Sequence, residues 1–174
     1  MEKSVIEEST LEERGTSDFF DCMEEVFSLK APDDAEIEQY SPLTLAYIGD
    51  CIFDLIIKTL VVRKGNRQVH KLHLESSRYV QASAQSEMMR SMQACLREEE
   101  HAVYKRGRNA KSVSPARNQS ITDYRRATGF EAVLGYLYLK KEWKRLLELV
   151  KTGLDSLEEM DLYEKERTDS EDGK

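Results

Sequence analysis

The stretch Leu43–Val62, "LTLAYIGDCIFDLIIKTLVV", decides how the chain reads. It is apolar almost throughout, yet Asp50 and Asp54 stand near its middle. Ser41-Pro42 precedes it, a capping serine and a proline at the first helical position, and Lys64-Gly65 ends it. The stretch therefore predicts one long helix. Its length suits a membrane span, but the two carboxylates and Lys58 would each be costly in hydrocarbon. A buried helix of a globular domain is the reading that remains. Asp50 and Asp54 are four residues apart and share a face. They are the only charges between Glu38 and Lys58.

A second helix carries the same anomaly. Between Arg126 and Lys140 the sole charge is Glu131, set in "TGFEAVLGYLYL". That segment is apolar on nearly all sides, as a central helix would be. Burying an unpaired carboxylate costs several kcal/mol or forces its protonation. The acids must therefore meet bases or share a divalent cation. A buried ion pair, or a carboxylate capping a neighbouring helix, is the structural alternative. Neither apolar run is expected to supply the partner base itself. Gly49 precedes Asp50, and Gly135 lies four residues after Glu131. Small residues let two helix backbones come close and bring both acids within reach of one ion. Oxygen ligands with open water positions suit Mg²⁺.

Around these helices, 174 residues suit one domain with a real core. Three Pro and eight Gly are few, which favours an all-α fold over a turn-rich β fold. Residues 1–16 are acidic and aperiodic and read as disordered. A domain is expected over 17–160, with 17–40 as an N-terminal extension, followed by an acidic mobile tail at 161–174. Ser17 is expected to cap a short helix with Phe19, Met23, Val26 and Phe27 facing inward. A helical region runs from about Gln68 to Leu96, with a bend or close helix contact at "VQASAQS". "REEEHAVYKRG" reads as a helix stopped at Gly107. "RGRNAKSVSPARNQS" is the clear internal loop. Helices then begin at Thr122 or Asp123 and near Trp143. No signal peptide is expected, since the N-terminus has no apolar core segment. Cys22, Cys51 and Cys95 lack metal spacing and read as packed, inert thiols of a reducing compartment, the cytoplasm.

The net charge of −7 hides a segregation. Residues 1–41 hold 13 acids and 3 bases, 42–145 hold 10 and 19, and 146–174 hold 10 and 4. A basic middle between acidic ends suggests a polyanion partner, although a solvated surface of mixed charge has the same composition. The basic residues concentrate in "YKRGRNAK": Lys105, Arg106, Arg108 and Lys111, with Asn109 as a neutral donor. As a loop this segment would grip a phosphate backbone. Metal carboxylates beside such a surface point to metal-assisted phosphodiester hydrolysis. His70 and His73 share a helical face but have no ligand cluster near them, and read as surface or partner-binding residues.

These segments also resemble a known family. "LAYIGDCIFDL" resembles the signature helix of ribonuclease III domains and "TGFEAVLGYLYL" their second catalytic helix. "YKRGRNAKS" followed by "YRRATGFEA" is similar to the short form, Mini-ribonuclease III, which lacks a double-stranded-RNA-binding domain. The resemblance covers about residues 40–157. It implies an all-α homodimer in which each of two sites cuts one strand of an RNA duplex. Asp50 matches the signature aspartate and Glu131 the metal-binding glutamate, so both would be catalytic and hold Mg²⁺, with Mn²⁺ as a substitute. Ala46 and Thr128 stand where four-acid relatives carry further carboxylates. Asp54 would orient a neighbour or support the dimer. The implied substrate is precursor 23S ribosomal RNA, with ribosomal proteins as possible partners and no membrane. Two rivals remain: a non-catalytic RNA-binding or ribosome-assembly protein on this fold, and an all-α nucleotide pyrophosphohydrolase. The second expects E-x-x-E pairs, and the one acidic run, "REEEH", reads as exposed.

Overall fold

Helix boundaries follow the punctuation of the sequence. The computed structural model describes residues 19–111 and 120–172, with side chains described for 21–111 and 120–159. The expected disorder of residues 1–16, the Ser17 cap and the middle of the basic loop lie outside the described residues. The helices are α1 (Phe19–Phe27), α2 (Asp34–Gln39), α3 (Pro42–Arg63), α4 (Val69–Val80), α5 (Ala82–Met92), α6 (Glu98–Asn109), α7 (Ile121–Leu139) and α8 (Trp143–Asp172). A 3₁₀ turn, Gln93–Cys95, follows α5. Among the described residues there is no strand, so the fold is all-α as expected. None of their helices is long and apolar enough to cross a membrane.

Ser41 caps α3 by accepting from the Thr44 amide at 3.0 Å. Gly65, at φ +139°, ends it in a conformation that side chains rarely adopt. Ser120 caps α7, accepting from the Asp123 amide, one residue earlier than the sequence suggested. The expected bend at "VQASAQS" is Gln81, whose extended backbone separates α4 from α5.

α7 is the axis of the bundle. Every residue from Ala127 to Leu137 is buried except Glu131, which is half-buried. α3 packs along it, with the Phe53 and Phe130 rings edge to face at 5.0 Å. Met88, Met89 and Met92 of α5 and Leu146, Leu149 and Val150 of α8 complete the core. Burying such side chains contributes roughly 1.5–3 kcal/mol each.

Several expectations need correction. Gly107 does not stop α6, which continues to Asn109. A Cβ there would lie 2.9 Å from the Ala132 Cβ and the Gly129 Cα of α7. This glycine permits close packing rather than a helix end. The three cysteines are exposed, not packed. α3 is not buried on all sides: Tyr47 is 78% and Leu55 61% exposed. Val26 and Phe27 of α1 do not face inward but are exposed. α8 runs to Asp172, through most of the stretch expected to be a tail. Contacts divide the chain into residues 1–33 and 34–174. α2 thus belongs to the larger unit, where Ile37 joins the core.

Candidate active site

Asp50 and Glu131 are brought together by two glycines. A Cβ on Gly49 would overlap the Glu131 carbonyl oxygen, and a Cβ on Gly135 would overlap the Leu45 carbonyl oxygen. The two backbones thus meet at these glycines, with Ile48 Cγ2 packed beside Gly135. The acids beside this crossing lie close enough to repel.

Their electrostatics are those of an incompletely neutralised pair. Burial pushes the Glu131 carboxyl up, the negative charge of Asp50 pushes it further, and the Gln85 amide only partly opposes them; it titrates at about 8. Asp50 is open to solvent on one side, and its pKa is also raised, by partial burial and then by Asp54, against the pull of Lys58. Asp54 differs. Lys58 Nζ donates to its Oδ2 at 2.6 Å, one helical turn away. For Asp54 the expectation that the apolar run supplies no base therefore fails. Among the described residues no base acts on the charge of Glu131.

Ala46 and Thr128, the non-acidic positions, are both buried. Thr128 donates its hydroxyl to the Tyr124 carbonyl at 3.0 Å. It lines a cavity of about 210 Å³ together with Gln81, Gln85, Tyr124 and Glu131. A larger open cleft, about 390 Å³, is lined by Asp54, Lys58, His70, His73 and Ser77. Of the two, the smaller cavity holds Glu131, the carboxylate whose charge burial and Asp50 oppose. Among the described residues no three His, Cys, Asp or Glu side chains group as a metal site. The two histidines therefore form no ligand set with Asp54. Two carboxylates, mutual repulsion and an adjoining polar cavity fit a hard cation that keeps several waters.

The basic residues do not sit as the sequence suggested. Lys105, Arg106, Arg108 and Asn109 belong to the last turns of α6, and Lys111 follows it; all five are exposed. Gly107 presses this end of α6 against Thr128 and Gly129, one turn before Glu131. Arg106 donates to the carbonyls of Glu38, at 3.2 Å, and Tyr40, at 2.6 Å. Its guanidinium thus ties down the chain entering α3.

Sequence reasoning missed Gln85. It is 1% exposed and lies beside Glu131. Its signal was present: it stands three, four and seven residues before Met88, Met89 and Met92, on an apolar face. Reasoning also missed Glu100, which is wholly buried within the run taken as exposed. It closes a capping box on the Arg97 amide at 2.8 Å and pairs with Arg145 at 2.7 Å.

Comparison with known proteins identifies the family. The Ribonuclease III domain model matches residues 43–142. A Mini-ribonuclease 3 of Clostridium tetani is 48% identical over 125 residues, covering 71% of this chain and 83% of the relative. One from Staphylococcus aureus is 40% identical, covering 67% and 89%. A crystal structure of a Fusobacterium nucleatum protein superposes with a TM-score of 0.61 at 29% identity, covering 66% of this chain and 87% of that one. With its two acids carried on facing helices inside the matched region, the chain belongs to the ribonuclease III family, among the Mini-ribonucleases 3.

Proposed function

We propose that this endoribonuclease cuts double-stranded RNA through Asp50 and Glu131, and that its target is a stem at the ends of precursor 23S ribosomal RNA. The observation that supports the site assignment is the glycine crossing of α3 and α7, which sets two carboxylates close enough to repel, with no base acting on Glu131 among the described residues. Asp50 and Glu131 would hold Mg²⁺, which supplies an activated water and neutralises charge on the phosphate. The protein's own groups do the rest. Glu131 must be ionised to serve, so the repulsion from Asp50 keeps the site poised for a cation. Lys105, Arg108, Asn109 and Lys111 neutralise and position backbone phosphates, while Arg106 holds the entry to α3. Asp54 keeps Lys58 at the edge of the neighbouring cleft. Water adds to phosphorus as the P–O3′ bond breaks. The departing 3′ oxygen takes a proton, leaving a 3′-hydroxyl and a 5′-phosphate. An A-form duplex is recognised by shape and 2′-hydroxyls, so RNA structure rather than sequence sets the target.

The working unit is a homodimer joined along α3. Leu43, Tyr47, Cys51 and Leu55 repeat every four residues and form an exposed stripe on that helix. Asp50 lies on the same helix, so pairing two copies there would place two sites along one duplex, one for each strand.

The decisive experiment assays a labelled RNA stem with Mg²⁺. Wild type cleaves, whereas Asp50→Asn and Glu131→Gln do not, while both remain folded dimers. Full cleavage by either variant would sink the assignment. Mapping precursor 23S ends in cells with and without the protein tests the substrate, and adding ribosomal proteins to the assay tests their part in it. A monomer at micromolar concentration would overturn the two-site unit.

A further inference from the structure

Gln85 is out of place on its own helix. It lies on the face of α5 that buries Met88, Met89 and Met92 completely, and is itself 1% exposed. A primary amide carries two donor hydrogens and an acceptor oxygen, and burying them unpaired is unfavourable. Yet Nε2 meets no partner with full hydrogen-bond geometry among the described residues. Packing alone would be served better by Leu or Met.

The surroundings show what the amide is aimed at. It lines the cavity of about 210 Å³ that also holds Glu131 and Thr128. The Thr128 hydroxyl is already committed to the Tyr124 carbonyl. The Gln85 amide lies near enough to Glu131 to favour its charged form, though short of a full hydrogen bond. A carboxylate that turns one oxygen to a cation leaves the other in need of a donor. Bonds to a charged acceptor are also the stronger ones.

We propose that Gln85 is a positioning residue of the catalytic centre, its Nε2 donating to one oxygen of Glu131 and so fixing the other toward the cation. This rests on Asp50 and Glu131 being the metal carboxylates. It answers a need of this site. With Ala46 and Thr128 in place of further acids, the two that remain must be held rigidly. Outer donors of this kind orient ligands, and losing one weakens metal binding about 10–100-fold.

The test uses the full chain with Gln85→Leu and Gln85→Met, Met keeping close to the original volume if Leu disturbs packing. Mn²⁺ binding is read by electron paramagnetic resonance without RNA, beside Mg²⁺ titrations of cleavage. Both variants should bind Mn²⁺ about 10–100-fold more weakly and need correspondingly more Mg²⁺. Cleavage should recover to within about tenfold at saturating Mg²⁺, since the two carboxylates remain. Affinity for duplex RNA in chelator should not change, and Tm should hold or rise. Unchanged Mn²⁺ affinity in either folded variant overturns the assignment. So does a loss of Tm and RNA affinity in step with metal binding, which would mark a structural role. Asp50→Asn and Glu131→Gln separate this idea from its foundation. If they fail to weaken Mn²⁺ binding, the metal reading itself falls; if they weaken it and Gln85→Leu does not, only Gln85 is misassigned.

Discussion

Glu100 and Glu131 are both sunk into the bundle, with opposite outcomes. Glu100 has no exposed surface. Arg145 Nε donates to its Oε1 at 2.8 Å, Arg145 Nη2 to its Oε2 at 2.7 Å, and the Arg97 amide to Oε2 at 2.8 Å. Burial pushes its pKa up, but these donors outweigh burial and hold it below the ordinary value. Glu131 is less buried, has no base acting on it among the described residues and faces another acid, and it rises to about 8. Depth alone therefore does not decide the fate of a carboxylate. The partners left around it do, and they separate a carboxylate held ionised by donors from one pushed toward its neutral form.

The largest expected effect lies on the open side of this contrast. Asp50→Asn or Glu131→Gln should lower cleavage of an RNA stem on the order of 10³-fold or more, the size of losing metal-assisted charge stabilisation. Gel assays against wild type at matched fold and RNA affinity would measure it. The fastened side should respond in stability instead. Arg145→Met strands a buried Glu100 and should cost about 3–5 kcal/mol in urea unfolding. Cleavage per folded molecule should hardly change. Equal stability would mean that Arg97 alone suffices.

Between the two lies the crossing itself. Gly135→Ala drives a methyl into the Leu45 carbonyl, so the helices must part. We expect about 1–3 kcal/mol lost and a larger proportional fall in cleavage, because the acids separate. The reverse sign is expected of Glu131→Gln in chelator. The ordinary carboxyl value for this residue is 4.5, against about 8 in the fold, so the native state holds the proton more tightly. Native stability from this group is complete below about 4.5 and is lost as pH rises through about 8. Removing the charge should therefore stabilise the metal-free protein by up to a few kcal/mol above pH 8 and do nothing near pH 4. Thermal melts of both proteins across that range read the difference. The smallest effects belong to the end of α6. Lys105→Gln or Arg108→Gln should weaken duplex binding evenly across sequences and reduce the salt slope by about 1. Arg106→Gln should mainly cost about 1–2 kcal/mol of stability through the carbonyls it releases.

Much of this was legible in the chain. Ser41-Pro42 and Lys64-Gly65 mark α3 because capping chemistry is local, and an isolated charge in an apolar run is visible without coordinates. The small residues beside Asp50 and Glu131 signalled the close approach that Gly49 and Gly135 make. What was not legible depended on partners distant in sequence. Glu100 meets Arg145 from 45 residues away, and Arg106 reaches Tyr40 across 66. A basic run therefore looked uniform although one member serves the backbone. Gly107 was read as a stop because a glycine needed for tight packing carries the same letter as one needed for a turn. Gln85 was overlooked although its spacing matches the methionine face, because nothing local in the sequence says what its amide meets.

The glycine crossing has one more consequence. Since the two backbones touch at Gly49 and Gly135, the separation of the helices bearing Asp50 and Glu131 is gauged by main-chain contact, while the carboxylates themselves are aimed by their rotamers. Volume-conserving changes among the core methionines leave that helix separation in place. The bundle thus keeps a fixed ruler between α3 and α7, and the two glycine notches set its scale.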